Sequence, residues 1–203
     1  SAGDMLYVPP EFAHDGVAVD ACYTYSIGFR APSHHELMSQ FLIFLEDRLV
    51  GGGRYGDPDL SPPMHPARLD AGMIAKVARI LGDIRWTRRD IAEFLGSYLT
   101  EPKSHVLFAP PRKSLSAIAF RSAARRKGVE LALASLMLYG NAMLFINGDP
   151  YRIDQAMATP LRQLADTRRL PGRQIPLRGL VADLLYAWYR AGYICLSNPG
   201  AAG

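Results

Sequence analysis

"GDMLYVPPEFAHDGVAVDACYTYSIGFRAPS", residues 3–33, is the stretch of this sequence that decides the fold class. It opens with an apolar run at residues 5–8, which Pro9 and Pro10 end because proline cannot donate a ladder hydrogen bond. Residues 17–29 are rich in β-branched and aromatic side chains, which favour strands. The stretch therefore predicts two or three strands of a larger β structure, since an isolated hairpin is only marginally stable in water.

His14 follows the first of these predicted strands and its Pro-Pro corner. An imidazole at a strand end, beside Asp15, suits an iron or zinc ligand; a hydrogen-bonded structural histidine is the ordinary alternative. Non-haem iron oxygenases hold their metal with two histidines and one carboxylate. The sequence contains no His-x-Asp pair, and Asp15 is too close along the chain to share one metal easily with His14. The residues alone leave both interpretations open.

The composition is that of a globular protein without a membrane segment. The 203 residues, 49% of them hydrophobic, are enough for one or two domains with cores. No apolar stretch reaches the roughly 20 residues of a transmembrane helix, and the first residues lack the regions of a signal peptide. Cys22 and Cys195 are too few for a disulfide framework. We expect a cytoplasmic protein that does not contact a membrane.

The charge is unevenly divided along the chain, whose formal net charge is +4. Residues 1–100 hold 9 Lys and Arg against 13 Asp and Glu, whereas residues 101–203 hold 14 against 6. The C-terminal half therefore carries the positive field, which suits an acidic or nucleic-acid-bearing partner. A basic face that is merely solvated fits the same composition.

Residues 33–100 predict a small helical unit. Ser33 and Glu36 have the spacing of a capping box at the start of its first helix. Two more amphipathic helices are predicted at about residues 70–81 and 87–98, after a proline-rich connection. The apolar faces of these helices either pack on one another or form a dimer interface, and the sequence leaves the two alternatives open.

The C-terminal half predicts a winged-helix-like α/β unit. Asn147-Gly148 is its strongest hairpin signal, because both turn residues tolerate positive φ. The basic run RSAARRKG at residues 121–128 suits weak, salt-dependent contact with phosphates. A recognition helix near residues 155–165 would offer few side chains that read bases, namely Gln155, Arg162 and Gln163. The predicted elements are helices at about residues 114–127, 154–165 and 176–191 and strands at about residues 130–138, 142–146 and 151–153.

The first stretch contains two longer motifs, GDMLYVPPEFAHDG at residues 3–16 and YSIGFRAP at residues 25–32. Together they resemble the end of the JmjC-type cupin core in the bacterial ribosomal oxygenases, cupin-4 proteins that hydroxylate an arginine of a large-subunit ribosomal protein. GGGRYGDPDL with HPARL resembles the linker in the family's helical dimerisation region. GVELALASLMLYGNAMLFINGDPYRID resembles its winged-helix unit, and LLYAWYRAGYI its closing helix.

The resemblance implies an α+β fold in three parts. Residues 1–31 would be the C-terminal strands of a JmjC/cupin core, residues 32–103 a helical dimerisation domain and residues 104–203 a winged-helix-like domain. It also implies that His14 is an iron ligand and that Ser26 hydrogen-bonds the cosubstrate 2-oxoglutarate. For Ser26, a strand hydroxyl that is bonded locally is the alternative.

In function, the resemblance implies the C-terminal part of an Fe(II)- and 2-oxoglutarate-dependent oxygenase that hydroxylates a ribosomal protein, on an arginine side chain. The family's His-x-Asp pair comes from an earlier strand that this sequence does not contain. We therefore expect this chain alone to bind neither cofactor, to be inactive, and to serve homodimerisation through residues 32–103 and substrate docking. The alternative is a stand-alone, dimeric, basic winged-helix module that binds nucleic acid. A weak contact of the basic C-terminal domain with RNA or DNA fits either function.

Overall fold

The computed structural model describes residues 4–9, 11–23, 25–28, 31–49, 52–56, 58, 64–140 and 142–197. These residues form six α-helices, one 3₁₀ helix and six short strands, and the chain divides into two compact units, residues 1–38 and 39–203. The mixture of helices with small antiparallel sheets confirms the predicted α+β class. None of the helices in the described part of the chain has the length and apolarity that crossing a bilayer requires.

The N-terminal residues do not form the strands that their composition predicts. The described residues among 4–28 contain no strand, and their large apolar side chains are exposed, as at Met5 (94%) and Tyr23 (95%). A strand needs a neighbouring backbone to pair with its N–H and C=O groups, and the described residues provide this segment with no such neighbour. The prediction of strands at residues 5–8 and 17–29 is corrected accordingly; Thr24 and Phe29 lie outside the described residues.

Helices α1 (His34–Glu46) and α3 (Arg88–Thr100) confirm two of the predicted helices. Ser33 Oγ accepts the N–H of Glu36 at 3.1 Å, as the capping-box spacing predicts. Farther along α1, the rings of Phe41 and Phe44 pack on Phe94 of α3, with ring centroids 5.3 and 5.6 Å apart. Aromatic packing thus joins α1 to α3.

Helix α2 (Ala71–Gly82) begins where the sequence predicts, because Asp70 caps it by accepting the N–H groups of Gly72 and Met73. No residue of α2 is buried. Its apolar side chains are exposed, with Ile74 at 52% and Leu81 at 60%. The described residues therefore leave the apolar face of α2 uncovered.

The C-terminal part contains two three-stranded antiparallel sheets, ordered β5-β1-β6 and β2-β3-β4. In the first sheet Val129 lies opposite both Leu170 and Leu196. The elements are α4 (Ala117–Lys127), β1 (Val129–Leu131), β2 (Met137–Tyr139), β3 (Met143–Ile146), β4 (Asp149–Arg152), α5 (Gln155–Thr167), β5 (Arg169–Leu170), a 3₁₀ helix (Gly172–Gln174), α6 (Leu180–Ala191) and β6 (Ile194–Leu196).

The hairpin between β3 and β4 confirms the Asn147-Gly148 prediction. Both turn residues have positive φ, 51° at Asn147 and 91° at Gly148. Asp154 then caps α5 by accepting the N–H of Met157 at 2.8 Å, so this helix begins where the sequence predicts.

Other boundaries differ from the prediction for identifiable reasons. The single strand expected at residues 130–138 is divided into β1 and β2, because the Arg168 guanidinium donates to the carbonyl oxygens of Ala132 and Ser135 and holds a turn between them. The last helix begins at Leu180 rather than near residue 176, after Gly179 at φ 91°. Strands β5 and β6 were not predicted.

Both faces of β3 are buried, and this fixes the position of α3. Leu144 and Ile146 face the core, which includes Trp188 of α6. Phe145 points to the other face, as alternate residues of a strand do, and its ring lies against Gly96 of α3. Helix α3 therefore covers the β2-β3-β4 sheet.

Candidate functional site

His14, the expected iron ligand, lies in exposed chain of the N-terminal unit. Its Nδ1 is 3.3 Å from the carbonyl oxygen of Phe12, and the N–H of Phe12 donates to the carbonyl of Pro9 across a turn in which Glu11 has φ 75°. A bond from Nδ1 to a backbone carbonyl is a common way to fix the tautomer in which Nε2 binds a metal. The local geometry therefore suits a ligand histidine.

The described residues do not complete a metal centre around His14. They contain no group of three or more His, Cys, Asp and Glu side chains placed to hold a metal ion. A His-x-Glu pair does occur at His34 and Glu36, but both lie in the first turn of α1, where residues two apart point to different sides. Because an oxygenase iron site needs three protein ligands, these residues alone do not fit an iron and 2-oxoglutarate centre.

Ser26, the expected contact to 2-oxoglutarate, lies in the same exposed part of the chain. Phe29 and Arg30, the next residues of its motif after Gly28, lie outside the described residues. The geometry decides neither role, so the assignments of His14 to iron and Ser26 to the cosubstrate stay predictions.

Helix α5 does not present a surface that reads bases. Of its three candidate side chains, Arg162 and Gln163 are partly buried and Gln155 is exposed at the helix start. The Arg162 guanidinium lies over the Tyr139 ring, 5.4 Å from its centroid. The Tyr139 hydroxyl donates to Asp166 at 3.0 Å, and this hydrogen bond raises the pKa of Tyr139. The polar groups of this surface thus interact with one another.

A surface groove beside β1 was not expected, because it depends on pairing between strands distant in sequence. Glu130, Arg169 and Cys195 lie along it with other residues of β1, α5 and β5. Arg169 pairs with Glu130 at 3.1 Å. Burial, then the charge and hydrogen bond of Glu130, raise the pKa of the Cys195 thiol. A raised pKa favours the protonated thiol at neutral pH, which lowers its reactivity as a nucleophile.

Family comparisons define the class of this protein. Residues 83–194 match the model of the ROXA-like winged helix, and residues 1–37 match the model of the JmjC domain. Since the first match alone covers more than half of the chain, the chain belongs to the ROXA-like winged-helix family. The two matches together confirm the resemblance to the bacterial ribosomal oxygenases.

Two proteins of known family are similar to this chain in sequence. The chain is 29% identical over 164 residues to the ribosomal protein uL16 3-hydroxylase of Escherichia coli strain K12, a match that covers 81% of this chain and 43% of that protein. It is 41% identical over 59 residues to a probable ribosomal oxygenase of Haemophilus influenzae, a match that covers 29% of this chain and 13% of the relative.

Solved structures show the same likeness. YcfD, a ribosomal oxygenase from Escherichia coli, superposes with a TM-score of 0.63 at 25% identity, over 85% of this chain and 48% of YcfD. A YcfD structure in complex with cobalt and 2-oxoglutarate superposes with a TM-score of 0.64 at 24% identity, over 85% and 48% of the two chains. The chain spans less than half the length of the relatives it matches.

Proposed function

We propose that this chain is the C-terminal part of an Fe(II)- and 2-oxoglutarate-dependent JmjC-type oxygenase that hydroxylates a ribosomal protein, with an arginine side chain as the target. The observation that carries the proposal is the order of two family matches on one chain, JmjC at residues 1–37 and the ROXA-like winged helix at residues 83–194. The comparisons support it, since the Escherichia coli relative is a ribosomal protein hydroxylase and YcfD has a structure in complex with cobalt and 2-oxoglutarate. The bound metal and 2-oxoglutarate would supply the oxidising chemistry.

Within the whole protein, each part of this chain has its own role. Residues 1–31 complete the cupin core, with His14 as one iron ligand and Ser26 as a hydrogen-bond partner of 2-oxoglutarate. Residues 32–103 form the homodimer, and residues 104–203 dock the ribosomal protein and contact nucleic acid weakly. The chain alone is inactive, because the described residues offer one metal ligand where an oxygenase needs three. A ribosomal substrate makes the cytoplasm the expected location.

The support for dimerisation is the uncovered apolar face of α2. Ile74, Val77, Ile80 and Leu81 are each at least 40% exposed, although the helical spacing of Ile74, Val77 and Leu81 puts them on one face. Exposed apolar area of this kind marks an interaction surface. A second copy of residues 32–103 would cover it.

The test is a hydroxylation assay with the complete gene product, supplied with Fe(II) and 2-oxoglutarate. Its substrates are the large-subunit ribosomal proteins of the same organism, purified from cells that lack the gene. We expect one ribosomal protein to gain the mass of one oxygen atom, with one succinate formed per oxygen inserted. If no ribosomal protein gains mass, the proposed substrate class is wrong.

A pair of histidine variants gives this assay its control. His14→Ala in the complete protein is expected to abolish turnover, because it removes an iron ligand. His105→Ala removes an exposed histidine of the winged-helix part and is expected to leave turnover unchanged. If His14→Ala turned over substrate as fast as the wild type, His14 would not be a metal ligand, although the proposed class of reaction would still hold.

The second candidate is a stand-alone, dimeric winged-helix module that binds nucleic acid. The observation that favours it is the excess of 14 Lys and Arg over 6 Asp and Glu in residues 101–203. This candidate requires that the gene start near residue 1. It also requires that the chain bind DNA at moderate salt, which slows the migration of the DNA in a gel. A gene product of more than twice this length, with a His-x-Asp pair in the added sequence, would exclude it.

A further inference from the structure

Two basic segments of the C-terminal part meet at the end of α4, and we call their cationic side chains together the α4 cationic face. The first segment is the C-terminal half of α4, and the second follows β5 and contains the 3₁₀ helix. Most of these side chains are exposed. The face consists of Arg121, Arg125, Arg126, Lys127, Arg173 and Arg178.

Direct contacts hold the two segments against each other. Arg125 Nη1 donates to the carbonyl oxygens of Arg173 and Ile175, at 3.2 and 2.9 Å. A Cβ atom at Gly172 would overlap the backbone carbonyl of Arg125, so the two backbones touch at this glycine. Ile175 is buried in the core. The backbones of the two segments are therefore held against each other, which lowers part of the conformational entropy cost when a ligand binds.

Among the described residues, one acidic side chain pairs with a cation of this face. Asp183, at the start of α6, pairs with Arg121 at 2.6 Å, and nearby Glu130 pairs with Arg169 instead. Cations in the last turn of α4 also interact favourably with the helix dipole, which gives Arg125, Arg126 and Lys127 a structural use. The dipole of α4 does not explain Arg173, because Arg173 lies in the 3₁₀ helix rather than in α4. The helix dipole therefore does not account for the whole face.

We infer that the α4 cationic face binds the phosphate backbone of RNA. Guanidinium and ammonium groups on one rigid surface neutralise phosphates without reading sequence. Other winged-helix contact sites are less suitable here, because Arg162 of α5 lies over the Tyr139 ring and the hairpin turn at Gly148 contacts the end of α3. The choice of RNA rests on the proposed function, since a ribosomal protein is presented beside RNA.

The test measures binding of the 203-residue chain to a fluorescent RNA stem-loop by anisotropy, over a series of salt concentrations. The test variant is R126E/K127E/R173E, and the control variant is K103E/R152E/R190E, which changes the net charge equally at exposed positions elsewhere. We expect the test variant to bind RNA about tenfold or more weakly than the control variant. Its slope of log affinity against log salt should flatten by roughly 3, one for each phosphate that the variant no longer neutralises.

Equal weakening in the two variants would overturn the inference, because net charge rather than this face would then explain binding. A DNA stem-loop of the same sequence is the second probe, and tenfold tighter binding to DNA than to RNA would exclude RNA as the ligand. If the triple variant does not fold, as judged by circular dichroism, R126E is compared with R152E in the same way. RNA binding needs no iron, so this outcome is independent of the hydroxylation assay that tests the proposed function.

Discussion

The ring of Phe145, on β3, lies directly on the backbone of Gly96, on α3. Phe145 is 4% exposed and Gly96 is buried. Helix α3 can approach the sheet this closely because glycine has no Cβ atom. The contact joins the predicted helical region to the predicted winged-helix region.

Substitution of this glycine should destabilise the fold. In Gly96→Ala the new Cβ overlaps the Phe145 ring, and we expect a decrease of about 1–3 kcal/mol in the free energy of unfolding. Gly82→Ala is the matched control, since Gly82 is also helical and its Cβ would meet no atom within 4 Å. Chemical denaturation of both variants measures the difference. A Gly96→Ala protein as stable as the control would mean that α3 and the sheet lie farther apart.

We expect the oligomeric state to depend on the apolar face of α2. We expect the chain to be a dimer by light scattering and the variant I74D/L81D to be a monomer, because buried carboxylates would oppose association. Leu133→Asp is the control, since Leu133 is 99% exposed but lies outside residues 32–103. A monomeric wild-type chain at high concentration would contradict the dimer.

The isolated chain should lack oxygenase chemistry. With Fe(II) and 2-oxoglutarate we expect no succinate formation and no stoichiometric metal binding at micromolar affinity, because a single histidine cannot hold iron in competition with water and buffer. Titration with cobalt(II) should give the same weak isotherm for wild type and His14→Ala. Tight one-to-one binding that His14→Ala removes would show that the chain holds a complete site.

The capping box at the N-terminus of α3 should make the free energy of unfolding depend on pH in the acid range. Thr87 and Asp90 form a capping box, in which the Asp90 carboxylate accepts the N–H of Thr87 at 2.7 Å and its hydroxyl at 2.6 Å. The hydroxyl bond, then the backbone bond, lower the pKa of Asp90 below its ordinary value of 3.8. A lowered pKa in the folded state stabilises the protein above the unfolded value, and this stabilisation is lost as pH falls through the folded value.

We therefore expect Asp90→Ala to be less stable than wild type at pH 7, with the difference shrinking below about pH 4. Denaturant midpoints measured across this range give the difference. Asp47→Ala, which removes an exposed carboxyl just after α1, is the control and should give a smaller change. If the stability difference between Asp90→Ala and the wild type stays constant as the pH is lowered, the charge of Asp90 does not contribute to stability.

Local signals made much of the fold predictable from the sequence. The starts of α2 and α5 follow from Asp70 and Asp154, whose side chains cap the helix within three residues. The hairpin follows from Asn147 and Gly148, because their tolerance of positive φ is a property of the residues themselves. In the candidate site, the motif around His14 was sufficient to identify the class of protein.

Features that depend on distant partners could not be predicted in this way. The turn between β1 and β2 is held by Arg168, more than thirty residues farther along the chain. Strands β5 and β6 have two and three residues, too few for a periodic pattern, and form because β1 lies between them. The other ligands of a metal at His14 would also be distant from it along the chain. They could therefore not be named from the motif around His14.

The two-sided packing of α3 has a consequence for how the chain comes apart. Phe94 packs on α1, while Gly96 meets Phe145, and Thr100 Oγ1 accepts the N–H of Gly148 at 3.0 Å. A protease that cuts the chain near residue 104, just after α3, would therefore not release an autonomous winged helix. It would separate the sheet from a helix that covers it and leave Phe145 facing water. We therefore expect the smallest fragment that folds to begin before α3, as the match to the ROXA-like winged helix does at residue 83.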